Sequence, residues 1–322
     1  MNQMKKILFA TLLITGLTFI NSCTTDFDLY AEYEDITIVY GLLDISDDTS
    51  WIKITKAFTG PGNALLIAQN PDSSNYSYKL DVKLIGVKNG NELPPIVFDT
   101  LTLHNKRPGD STFYFPDQLV YYAETSLDAN AKYSMYIENR GEEISSETPL
   151  VGGFVISRPN RFISFTNNGE IEWGLADNGK RYEVFLLFNY KELAQGSTDT
   201  VFKIMPWYLG MDKDDKGKKA YSGDSFYNRL EAELEVVPGL KRWAGKMDIV
   251  IPCGSETLSS YLDINESDNS LLTEVPVFSN ITGGTGVFAS RHTATKDVLL
   301  TPKTIEKLVD DYPELGFQLP TK

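Results

Sequence analysis

A chain of 322 residues with 44 acidic against 30 basic side chains carries a formal charge of −14, which argues against nucleic acid and anionic lipid headgroups as partners. Only two cysteines occur, so no disulfide framework holds the fold. Stability has to come from an apolar core, for which 42% hydrophobic content suffices at a length that suits two domains.

The first element is a leader. Lys5 and Lys6 precede an apolar run from Ile7 to Ile20, and the small Ser22 stands before Cys23. This is the layout of a secretory signal, and a run of roughly 14 residues falls short of the ~20 that span a bilayer as a helix. Residues 1–22 are therefore expected to be removed. A thiol at that place suits a bacterial lipoprotein, in which the sulfur is acylated and Cys23 becomes the new N-terminus, tethered to a membrane without crossing it. Residues 23–35 then read as an acidic tether, since "TTDFDLYAEYED" has no basic residue.

From 36 to 150 the signals are those of strands. "ITIVYGLL", "WIKITKAF", "YKLDVKLIGV", "PIVFDTLTL", "STFYF", "LVYYAE" and "KYSMYIENR" are short, rich in β-branched and aromatic residues, and separated by turn clusters such as "KNGNELPP". Leu80, Val82 and Leu84 alternate with Asp81 and Lys83, and Tyr133, Met135 and Ile137 with Lys132, Ser134 and Glu138. Such period-two patterning places one face on a core and the other in water. The expectation is an immunoglobulin-like β-sandwich. "GPGNALLIAQNPDSS" interrupts it with a helical turn that Asn63 is placed to cap.

"SSETPLVGGFVISRP" reads as a join, with Pro149, Gly152, Gly153 and Pro159 close together. Residues 160–322 are expected to form a second β-rich domain, opening with a fibronectin-like rhythm, with Trp173 on an early strand and a turn at Asp177, Asn178 and Gly179. Helices are inserted into it. Asp224 is expected to cap one that buries Phe226, Leu230 and Leu234; Ser255 another, with Leu258, Tyr261 and Leu262 inward. Thr301 caps a third, with Pro302 at its first position and Ile305, Leu308 and Val309 on one face. "AGKMDIVIPCG" and "TGVFASRH" read as buried strands. The fold class is thus mainly β, two sandwich-like domains in succession.

Catalytic patterns are sparse. Histidine occurs only at His104 and His292, in no zinc-binding spacing, and Gly-x-Ser-x-Gly is absent. Cys253 stands just before a predicted helix start, where a thiol pKa is lowered, yet it ends a buried-strand pattern and reads as core packing. In "DKDDKG", Asp212, Asp214 and Gly217 occupy places one, three and six of a calcium loop, but Lys216 fills place five and Gly223 place twelve, so a solvated turn is expected. "NITGGTGVF" leads into a strand and not a helix, so its glycines suit a bulge or a tight turn and not a phosphate. Carboxylate pairs occur in any chain this acidic. No metal or cofactor is expected. Tyr121 with Tyr122, and Trp207 with Tyr208 beside Pro206, are placed to form an exposed stacking platform for sugar rings, against the plainer reading that strand aromatics are core.

The Cys23 start, the acidic tether, and the stretches "VYGLLDISDDTSWIKITKAFTGPGNALLIAQNPDS" (39–73), "TPLVG" (148–152) and "GTGVFASR" (284–291) together resemble a family of Bacteroidota lipoproteins to which no activity is assigned. The acidic residues behind Cys23 also resemble, in part, the surface-export signal of such lipoproteins. The resemblance implies a lipid-anchored outer-membrane protein facing the cell surface or the periplasm. The expected function is a non-enzymatic binding or interaction module for a glycan or peptide. The alternatives are a structural subunit of an outer-membrane uptake or surface assembly complex, its sheet edges pairing with a partner, and a carboxylate-dependent hydrolase.

Overall fold

The computed structural model describes residues 36–57, 64–68, 70–104, 117–266 and 278–320. The predicted leader, Cys23, the acidic tether, the cap at Asn63 and the strand at "STFYF" lie outside them. The first half runs β1 (Thr37–Asp44), β2 (Thr49–Lys56), the short helices α1 (Ala64–Ala68) and α2 (Pro71–Ser74), β3 (Asp81–Lys88), β4 (Asn91–Glu92), β5 (Ile96–Val97), β6 (Asp99–Leu103), β7 (Gln118–Glu124), β8 (Lys132–Asn139) and β9 (Glu142–Pro149). The second half continues β10 (Ile156–Arg158), β11 (Phe162–Ile163), β12 (Gly169–Trp173), β13 (Gly179–Leu193), β14 (Val201–Asp212), β15 (Lys218–Tyr221), α3 (Gly223–Glu233), β16 (Lys241–Ser255), α4 (Glu256–Glu266), β17 (Thr285–Leu300) and α5 (Pro302–Asp310).

The protein is mainly β, and alternation builds it. Val82 and Leu84 of β3 are buried while Asp81 and Lys83 are exposed, and Tyr133, Met135 and Ile137 of β8 face the same core. The β3–β4 and β8–β9 hairpins turn on Asn89–Gly90 and Arg140–Gly141, both pairs at positive φ, which matches the twist of the flanking strands. One nine-stranded sheet runs in the order β14-β13-β16-β17-β1-β2-β7-β6, with β11 added beside β17. At one end its inner face packs on the sheet β4-β3-β8-β9 with β5; at the other it packs on β10-β12-β15 together with α3 and α5. Leu150 belongs to the first core and Val151 to the second.

The sheet itself runs through both halves. β17 pairs in parallel with β1, from Ile38 opposite Thr285 to Asp44 opposite Arg291, and then antiparallel with β16, from Gly254 opposite Arg291 to Lys246 opposite Leu299. Its inward residues keep one alternation throughout: Phe288 enters the first core, Ala294, Val298 and Leu300 the second. Two glycines permit the close approach. Gly286 sits at φ +120°, where an added Cβ would run into the Val39 carbonyl, and Gly41 makes room for the Phe288 ring. The Asn280 side chain completes the fit: its Nδ2 donates to the Phe288 carbonyl at 2.8 Å and its Oδ1 accepts from the Phe288 N–H at 2.9 Å.

The helices depart from expectation where tertiary contact overrides local signals. α3 starts at Gly223, with Ser222 at the cap position and no side-chain cap, so Asp224 lies in the first turn. Gly223 packs against the backbone of Phe165 and Asn167, and that contact sets the start. Phe226 and Leu230 are buried as the stripe predicts, and Leu234, also buried, is the C-cap. In α5 the Thr301 hydroxyl accepts from the Thr304 N–H and Pro302 opens the helix, in accord with the sequence. α4 differs most. Of its residues only Ser259 is buried, and the expected inward Leu258, Tyr261 and Leu262 are half-buried, because the helix lies on the outer face across β13, β16 and β17. Among the described residues no helix is long and apolar enough to cross a membrane.

If the parallel pairing joins the halves, Gly286→Ala, which forces a side chain into the Val39 carbonyl at a backbone conformation alanine avoids, should destabilise the fold by at least about 2 kcal/mol in urea unfolding. An unchanged midpoint would contradict the close approach.

Candidate functional site

The outer face of the nine-stranded sheet is where side chains are free to meet a ligand. At its β1-β2-β7-β6 end, Trp51 stands opposite Tyr122 and the two rings stack with centroids 5.7 Å apart at 28°. Trp51 is 41% exposed and Tyr40, two positions away on the neighbouring strand, 45%. Tyr40 pairs with Lys53, whose ammonium donates to the Leu119 carbonyl at 2.8 Å, and Leu101 on β6 extends the apolar surface. Asp99, opposite Tyr122, forms an ion pair with Lys79 at 2.7 Å; that ammonium holds the Asp99 carboxyl below the usual range. α4 borders the face on the other side. Burial and the neighbouring Tyr261 hydroxyl push the Tyr40 phenol up. The result is a flat aromatic surface with a charged rim, which suits a ring with one apolar face and polar edges.

The four aromatics singled out from the sequence do not come together. Adjacent residues in a strand point to opposite faces, so each pair splits. Tyr121 is 1% exposed, its hydroxyl accepting from the Leu80 N–H at 3.0 Å, whereas Tyr122 faces out. Trp207 is not in a loop but in β14, and points into the second core with its ring 6.1 Å from Phe165 and 6.2 Å from Phe226. Tyr208 faces out beside Phe185, at 5.0 Å. Tyr122 and Tyr208 share a face but lie six strands apart, roughly 29 Å at the usual strand spacing. The platform expectation is therefore corrected: Trp207 and Tyr121 are core, and the outward partner of Tyr122 is Trp51. That partner was legible, since Trp51, Lys53 and Thr55 alternate with the apolar Ile52 and Ile54.

Cys253 and the Asp212 loop are occupied by the fold. Cys253 is fully buried, and burial pushes its thiol up to about 11. The Asp212 carboxylate accepts from the N–H groups of Asp214, Lys216 and Gly217, so it builds the loop with the oxygens a cation would need. His104 is exposed beside Asp117, and His292 lies 3.3 Å from Asp44 where the halves meet, edge-on to Phe154. Among the described residues no three His, Cys, Asp or Glu gather as a metal site. Arg181, 2% exposed on the outer side of β13, binds Glu183 at 2.8 Å, Asp263 at 2.8 Å and Glu266 at 2.6 Å, and Lys213 joins it at Asp263. Asp248 and Asp297 are cross-strand neighbours on the open face, and Asp248 is held by Lys246 and Asn189. The chain matches no protein-family model and no curated protein sequence.

The Cys253 thiol, with a pKa near 11, should resist alkylation at pH 8 in a folded Cys23→Ala variant and react fully once the chain is unfolded. Burial raises Cys253 and also Tyr227, the latter to about 12, so their contribution to stability is complete below pH ~9. It is lost as the pH climbs through the folded values.

Proposed function

We propose that this protein is a lipid-anchored binding module of the outer membrane, tethered through Cys23, that takes a glycan on the outward face formed by Trp51, Tyr122, Tyr40 and Leu101. The observation that carries the reading is the Trp51–Tyr122 stack, a solvent-facing pair of large rings on a rigid sheet. Sugar rings offer an apolar face of C–H groups to such a surface, and their hydroxyls meet the rim provided by Asp99 and Lys79. Rigid strands are suited to this because no loop has to be ordered on binding. The leader pattern ending at Cys23 and the acidic stretch behind it support the anchor.

Glycan-array screening of the Cys23→Ala soluble form tests the binding half, with tryptophan fluorescence to follow titration. Trp51→Ala and Tyr122→Ala should each weaken the bound glycan at least tenfold while changing unfolding stability by no more than about 1 kcal/mol, as expected for exposed cross-strand pairs. Binding that survives both substitutions sinks the assignment of this face. Mass spectrometry of the membrane-extracted protein should find an acylated Cys23 at the mature N-terminus.

A further inference from the structure

The far edge of the same sheet carries a second surface, independent of the aromatic face. Among the described residues β14 ends the nine-stranded order and pairs only with β13, regularly from Val201 opposite Glu192 to Tyr208 opposite Phe185. Pro206 lies opposite Leu187 and has no N–H to give. In an antiparallel ladder, opposed residues alternate between pairs that exchange two hydrogen bonds and pairs that exchange none. The Leu187–Pro206 pair must be of the second kind, so the Pro206 carbonyl points away from β13. Its partner confirms this: Arg229 Nε donates to the Pro206 carbonyl at 3.2 Å from α3, outside the ladder.

Alternation then fixes the rest of the edge. Val201, Lys203 and Met205 spend their backbone groups on β13, while Phe202 and Ile204 turn theirs outward. Among the described residues nothing else bonds to them. The same two residues expose their side chains, Phe202 by 73% and Ile204 by 59%. Pairing cannot extend past Pro206, because that residue has no donor and Arg229 holds its acceptor. The charge here runs against the chain as a whole: the Lys191 ammonium sits over the Phe202 ring at 4.9 Å, and Lys203 is exposed on the opposite side of the strand. Of the neighbouring acids, Glu192 is taken by Arg242 at 2.9 Å, and Asp199 lies in the turn before β14.

We propose that Val201–Met205 is a docking edge for an extended strand of another protein with the pattern apolar, acidic, apolar. Two apolar side chains would lie beside Phe202 and Ile204, and the acidic one between them opposite Lys203. The partner runs antiparallel, exchanging N–H···O bonds in both directions with each edge residue. A second copy of this chain fits poorly, since the register that satisfies both edge residues sets Lys203 directly against Lys203 of the second copy.

The test uses the full-length chain carrying Cys23→Ala and two acetylated probes, Thr-Thr-Val-Asp-Val-Thr-Thr and its Lys-centred counterpart. In amide-resolved NMR titration the Asp-centred peptide should shift the Phe202 and Ile204 amides saturably and bind at least tenfold tighter than the Lys-centred one. Lys203→Glu should reverse that preference. Ile204→Pro should abolish binding and leave the unfolding temperature unchanged, because that N–H serves no native bond, whereas Lys203→Pro should lower it. Trp51→Ala should leave peptide binding intact, which separates this edge from the proposed glycan face. Equal binding of the two peptides, shifts confined to other residues, or an Ile204-dependent dimer in sedimentation would overturn the proposal.

Discussion

The parallel contact of β17 with β1 is the constraint on which the rest of the molecule depends. One strand from near the C-terminus lies beside the first described strand and then continues beside β16, so a single alternation decides which side chains feed both cores. Phe288 and Val298 point the same way by parity, and both sandwiches therefore sit on one side of a common sheet. The opposite side is left to α4, to the Trp51–Tyr122 stack and to the exposed Phe202 and Ile204 of β14. Of the glycines in "TGGTGVF", Gly284 and Gly286 serve this approach of two backbones, while Gly283 makes a turn against the Glu143 carbonyl of β9.

Buried cations organise what the apolar cores do not reach. Arg181 gathers three carboxylates under α4, a helix that contributes no fully buried apolar residue, and Arg242 binds Glu192 along with the carbonyls of Leu315 and Glu235. A guanidinium suits both places because its planar fork serves several acceptors at once. In a chain with a large acidic excess, these two residues tie α4 and the 3-10 turn at Pro313–Leu315 to the sheet. Losing Arg242 would strand the Glu192 carboxylate and the Leu315 carbonyl in a poorly solvated place, whereas Asp263 and Glu266 around Arg181 remain open to water.

Strand identity was legible because period two is a local signal, and the faces of β3 and β8 follow from it residue by residue. The cap at Thr301 was legible for the same reason, as the bonds that start α5 lie within one turn. The start of α3 was not, since a contact with Phe165 and Asn167 sets it. Nor was the β1–β17 pairing, because nothing within reach of either strand names a partner some 250 positions away in sequence. For the candidate site, alternation alone says that Trp207 and Tyr208 cannot both face water. Which one turns inward is hidden, because Met205 and Ile204 make both sides of β14 apolar.

The shared strand also bears on biogenesis. A polypeptide synthesised N-terminus first presents β1 and β2 long before residues 285–291 follow. Until then the first sandwich holds an open, apolar flank at β1, the kind of surface that invites off-pathway pairing. Completion of the first unit thus waits on a segment some 250 positions downstream, and a chaperone that shields strand edges would find its natural target in that interval.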